Sequence, residues 1–204
     1  GYVFISVPSG YEVAAEGVFP QFYQTLKGAA DVVEQKDFKL TKVDGQDRYK
    51  LFLLGDMHLA NRTNDIHQFE NGFKADLRKQ IAQAKAEGVS LYAMALGDLT
   101  WDEYWYKNSY QPSHYVRQMA DLDIPIYNIP GNHDIPKYGA EALAQYLDEF
   151  GYDRFSFSYN GSAFIGLNSN AMVCDSERAA ADARAQLATA SAITSSSSRI
   201  TRSF

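Results

Sequence analysis

Three stretches of the chain repeat one pattern: an apolar run too short for a helix, then glycine, then a polar cluster. Arg48-Tyr-Lys-Leu-Phe-Leu-Leu-Gly-Asp-Met-His58 is the first, and Leu91-Tyr-Ala-Met-Ala-Leu-Gly-Asp98 is the second. Ile124-Pro-Ile-Tyr-Asn-Ile-Pro-Gly-Asn-His-Asp134 is the third. Runs that are apolar without alternation predict strands buried on both faces, as in a parallel sheet. Between the first two, Ile66, Phe69, Phe73, Leu77, Ile81 and Ala84 recur at three- and four-residue steps. That spacing predicts a helix with one apolar stripe, started by Thr63 or Asn64 and ended by Gly88. Shorter helices are expected near 112–121 and at about 139–150, the latter packing through Leu143, Tyr146, Leu147 and Phe150. Asn160-Gly161 between Phe155–Tyr159 and Ser162–Asn168 is a strong hairpin signal. The expected order is β-α-β-α-β-α-β-β, an α/β sheet that turns antiparallel at one side.

The ends read differently. Residues 1–8 predict a strand broken at Pro8, and Lys36–Val43 predicts a hairpin with 48–54 across Asp44-Gly45. Residues 1–35 are expected to be the end of an upstream β domain plus a linker, and 36–174 the core domain. Residues 175–204 hold 8 Ala, 7 Ser and no Lys, so little apolar surface is available to bury. They are expected to form a solvated, disordered or foreign tail.

Composition narrows the chemistry. A net charge of −6 and a pI near 5.2 argue against a nucleic-acid-binding surface. The single cysteine, Cys174, excludes an internal disulfide and a Cys-rich zinc site. No apolar stretch reaches the length of a membrane span. The start has neither an initiator Met nor a basic-then-apolar leader, so a signal peptide is expected to be missing or removed and the chain to be cut from something longer.

In an open α/β sheet, ligands gather at the carboxyl ends of strands, where all three polar clusters fall. Asp56 and His58 alternate at one strand end and can aim at one ion. Asp98 can bridge two ions with its two oxygens, and Asn132 can offer its carbonyl oxygen to the second. Two ions about 3.5–4 Å apart suit phosphoester hydrolysis. His133 is then free to protonate the leaving alkoxide or to bind a phosphate oxygen, with Asp134 orienting it through its other N–H. Trp101 and Trp105 lie in the loop after Asp98, either as core packing or as an aromatic wall for a substrate. Asp102 is expected to cap that loop or line the pocket. His67 reads as a solvated helical residue.

Gly55-Asp-Met-His58, Gly97-Asp98 and Gly131-Asn-His-Asp134 resemble the first three motifs of the calcineurin-like metallophosphoesterase superfamily, over about residues 36–170. The resemblance implies an incomplete four-layer α/β/β/α sandwich, with an N-terminal β domain as in some bacterial members. It implies Asp56 and His58 on a first metal, Asp98 bridging, Asn132 on a second and His133 as catalytic acid. The metals would be two divalent or trivalent ions (Mn, Fe or Zn), the substrate a phosphoester small molecule or phosphoprotein, and the location periplasmic or exported. The family adds later histidine ligands, whereas no histidine follows His133 here. A weakly active or inactive N-terminal half of a phosphoesterase is therefore expected. A non-enzymatic α/β module with a remnant metal site is the alternative.

Overall fold

The computed structural model describes residues 1–28, 32–135 and 140–170, with helical positions at 180–181, 184–185 and 187–188. Short antiparallel pairs come first. Strand β1 (Tyr2–Phe4) will pair with β5, and β2 (Tyr11–Val13) with β6; β3 (Ala15–Glu16) pairs with β4 (Phe19–Pro20). Their partners are β5 (Tyr23–Thr25) and β6 (Leu40–Lys42). The three apolar runs then form a parallel sheet of β7 (Tyr49–Leu54), β8 (Ser90–Leu96) and β9 (Ile126–Ile129), in that order.

Helices cover one face of this sheet. The predicted long helix is α1 (Asp65–Gln68), a π turn (Phe69–Phe73) and α2 (Lys74–Ala86), followed by α3 (Pro112–Met119) and α4 (Ala140–Phe150). Leu54, Ala93, Ala95 and Ile126 point to that side and meet Phe69, Leu77, Ile81, Tyr115 and Tyr146. The opposite face presents Tyr92, Met94 and Tyr127 to a second core with Phe22, Phe155 and Phe157. Apart from the exposed Leu53 and Leu96, alternate positions of these strands thus enter different cores, which is why the runs show no alternation. The sequence-expected α/β sheet with flanking helices is the architecture found.

Three local expectations are corrected. Lys36–Val43 makes no hairpin with β7: β6 pairs with β2, Leu40 opposite Val13. A strand beside β7 needs apolar side chains on both faces, and Leu40-Thr-Lys42 supplies one. The hairpin of β10 (Phe155–Tyr159) and β11 (Ser162–Gly166) forms around Asn160-Gly161, both at positive φ, but does not extend the parallel sheet. It lies across the second face, because Phe155, Phe157 and Tyr159 all point one way and stack on Tyr92 and Tyr127, Phe157 at 4.2 Å from Tyr127. Phe73 is exposed rather than part of the helical stripe, since the π turn inserts one residue per turn and rotates it outward onto Phe69.

Residues 1–25 pack on the same body. Val18 and Phe22 are buried, the Ile126 N–H donates to the Val18 carbonyl at 2.7 Å, and the Ser158 N–H donates to that of Val7 at 2.7 Å. Cys174 and nearly all of the Ala/Ser-rich segment lie outside the described residues. No helix among the described residues is long and apolar enough to cross a membrane.

Candidate metal centre

The carboxyl ends of β7, β8 and β9 converge, and the loops beyond them are joined by backbone. The His58 N–H donates to the Asp98 carbonyl at 2.8 Å, and the Leu59 N–H to the Leu99 carbonyl at 3.1 Å. Asp56, His58 and Asp98 all adopt positive φ (49°, 45° and 49°), a conformation with a cost for non-glycine residues that tertiary bonds must hold. Gly97 sits at φ 92°, where an added Cβ would stand 2.7 Å from the Gly131 Cα. The two motif glycines therefore allow the second and third loops to touch.

His58, Asp98 and His133 bring one ligand atom each to within 4.8 Å of one another. His58 Nε2 stands between two carboxylates, 3.5 Å from Asp98 Oδ2 and 4.0 Å from Asp56 Oδ1. Both distances are too long for a good hydrogen bond, and His58 Nδ1 is buried without a partner. Acceptors facing each other across such gaps are the arrangement that a cation resolves. Asp98 Oδ1 accepts the His133 N–H at 2.9 Å, which leaves Oδ2 turned toward His58. Asp56 belongs to the rim: its side chain is 81% exposed. Asn132 is exposed in the adjoining turn, and His67 is on the surface as expected.

The partner of His133 is not the expected one. Its Nδ1 is 2.9 Å from Asp102 Oδ1. Asp134 instead points inward, 1% exposed, with Oδ2 accepting the Leu99 and Gly131 N–H groups and Oδ1 accepting the Thr100 N–H and hydroxyl. It ties the second loop to the third. Burial raises its carboxyl pKa above the ordinary value, against the pull of those donors. Adjacency in sequence suggested Asp134, but neighbouring side chains diverge in an extended turn. The carboxylate on the His133 ring comes from another loop.

The two tryptophans divide. Trp105 is core, its Nε1 donating to Thr100 Oγ1 at 2.9 Å. Trp101 flanks the site, with ring centres 5.2 Å from His58 and 5.5 Å from His133. Arg62, which had no role in the motif reading, lies over Trp101 at 4.9 Å. Its nearness to the motifs in sequence was the one available signal.

A family profile described as calcineurin-like phosphoesterase matches residues 49–183, which include every one of these side chains. Among curated proteins, serine/threonine-protein phosphatase CPPED1 of Rattus norvegicus is 35% identical over 66 residues, 32% of this chain and 21% of that protein. The aligned segment thus spans about a fifth of that relative. No solved structure matches the chain.

Proposed function

This chain belongs to the calcineurin-like phosphoesterase family, and on that premise we propose that it carries the metal centre of a phosphoester hydrolase. One observation supports this reading above the others: His58 Nε2 and Asp98 Oδ2 face each other at 3.5 Å from two loops, with the His133 ring brought beside both from a third. The donor set fits a metal, because imidazole and carboxylate together suit Mn, Fe or Zn. Across the 3.5 Å gap, His58 Nε2 and Asp98 Oδ2 are two polar atoms that do not satisfy each other with a good hydrogen bond.

In the proposed arrangement, Asp56, His58 and Asp98 would hold metal, and Asn132 would add an oxygen donor. A bound metal supplies Lewis acidity, drawing charge from phosphoryl oxygens and activating water near neutral pH. The protein's own groups do the rest. Asp102 holds the His133 ring through Nδ1, so Nε2 is the nitrogen left to protonate a departing alkoxide. The His133 N–H fixes Asp98 in one rotamer, so the carboxylate does not have to be ordered when metal and substrate arrive. Trp101 closes one side and limits water there.

The proposed substrate is a phosphoester of a small molecule or a phosphoprotein, and an exported location is part of the same proposal. With few donors for a second ion, turnover by residues 1–204 is expected to be slow. The test is calorimetric titration of the chain with manganese, alongside hydrolysis of p-nitrophenyl phosphate and its bis-ester. Saturable binding with metal-dependent hydrolysis is expected. Binding without hydrolysis would instead favour a metal-binding module, and no bound ion would refute the site.

A further inference from the structure

Beside the metal centre, two cations lie against two aromatic rings, and hydrolysis as proposed gives them no task. The Arg62 guanidinium carbon is 4.9 Å from the ring centre of Trp101 and 5.8 Å from that of Tyr104. Lys107 Nζ is 5.2 Å from the Tyr104 ring. Trp101 and Tyr104 meet edge to face at 5.2 Å. Since Trp101 also touches both imidazoles, this basic patch adjoins the His58, Asp98 and His133 cluster through one shared ring. In a chain of net charge −6, a local cationic patch is set against the overall field.

Arg62 is held in place. Its Nε is 3.4 Å from Asp65 Oδ2, and Nη2 donates to the His58 carbonyl at 3.4 Å. Asp65 accepts in turn from the Ala60 and Ile66 N–H groups, at 3.1 and 2.9 Å, which locks the turn carrying Arg62. A guanidinium has five N–H donors, and these contacts occupy two. The rest form a planar fork suited to carboxylate or phosphate oxygens. Because the side chain is already ordered over Trp101, an anion bound there costs little further side-chain entropy.

The position of this fork decides what it reads. Arg62 contacts the His58 backbone and the Trp101 ring, and Asp65 is its one carboxylate within 4 Å among the described residues. It is therefore linked to the cluster through the His58 backbone and the Trp101 ring rather than as one of the three donor side chains, which leaves its free N–H groups for an anion beside the metal centre.

We infer that Arg62 is a specificity residue: its guanidinium takes a second anionic group, a carboxylate or phosphate, carried by the substrate beyond the scissile phosphoryl. This inference rests on the phosphoester reading of the metal centre.

The test uses two non-hydrolysable ligands, so no turnover is required. Benzylphosphonate and 4-(phosphonomethyl)benzoate differ by one carboxylate. Each is titrated calorimetrically into the full chain with millimolar manganese. The carboxylate ligand should bind roughly tenfold or more tightly, the scale of one charge-assisted hydrogen-bonded contact. Arg62→Gln should abolish that preference while leaving benzylphosphonate affinity within a few-fold, and Arg62→Lys should restore part of it. Lys85→Gln, an equal charge change at an exposed pair with Asp123, should alter neither. The Arg62 side chain is partly exposed, so its variants should keep the native unfolding midpoint. Equal affinities in the native chain, or a preference surviving Arg62→Gln, would overturn the inference and leave the phosphoester reading standing. A native chain that binds neither ligand overturns both.

Discussion

Asp102 Oδ1 meets His133 Nδ1 at 2.9 Å, joining the loop after β8 to the loop after β9 at the point where chemistry is proposed. The carboxylate holds one nitrogen of the ring and so determines which nitrogen faces the site. Asp102→Asn is expected to lower the rate of p-nitrophenyl phosphate hydrolysis by roughly 100-fold, the lower range for a general acid–base contribution. Manganese affinity should stay within a few-fold. Asp98→Asn should reduce both. If Asp102→Asn weakens metal binding as much as Asp98→Asn does, the two carboxylates share a role and the assignment fails.

Gly131 is placed where a Cβ would overlap the backbone nitrogen and Oδ1 of Asp98. Gly131→Ala should push that carboxylate out of line, costing roughly tenfold or more in manganese affinity. Gly161→Ala, in the hairpin turn, has open space around its Cβ and should strain only the local backbone. Calorimetry on both variants checks this: equal metal affinities would show that the close approach is dispensable.

Asp134 is a structural strut. Replacing it with alanine orphans the buried N–H groups of Leu99 and Thr100 and the part-buried one of Gly131, at about 1–3 kcal/mol for each buried group. Asp134→Ala should therefore lose about 3 kcal/mol or more of unfolding free energy in urea. Asp134→Asn should lose nearly as much, because its NH2 would face donors. A loss of unfolding free energy below about 1 kcal/mol for both would mean that water replaces the carboxylate.

The π turn and α2 are fastened to α3 by an ionic cluster. Lys74, 3% exposed, pairs with Glu70 and Asp121 at 2.7 Å each and donates to the Gln118 carbonyl; Arg78 joins both carboxylates. Burial pushes both carboxyl groups up in pKa, but their bonds with Lys74 and Arg78 outweigh it, so both titrate below the ordinary carboxylate range. A depressed carboxylate stabilises the fold above its unfolded pKa of about 4, and that stabilisation disappears as pH falls through the lower folded value. Unfolding free energy should accordingly drop as the medium is acidified below about pH 4, and Lys74→Met should flatten that part of the profile. An unchanged profile in the variant would show that solvent already screens the cluster.

What the sequence determined by itself was everything carried by local pattern. Largely apolar runs at 49–54 and 91–96 point to strands covered on both faces, so strands, their parallel setting and the ends where Asp56, His58, Asp98, Asn132 and His133 emerge were legible. The Asn160-Gly161 turn was legible too, because few other residues accept two positive φ angles in succession. Contacts between loops were not legible. Asp102 reaching His133, Asp134 turning inward to backbone donors, and Arg62 lying over Trp101 each join segments 31 to 39 residues apart. The pairing of β6 with β2 was likewise hidden, because antiparallel partners are chosen by which apolar face needs cover, not by the nearest turn. Sequence spacing placed the donors at one end of the sheet; only the packing of the loops decided which side chain holds which.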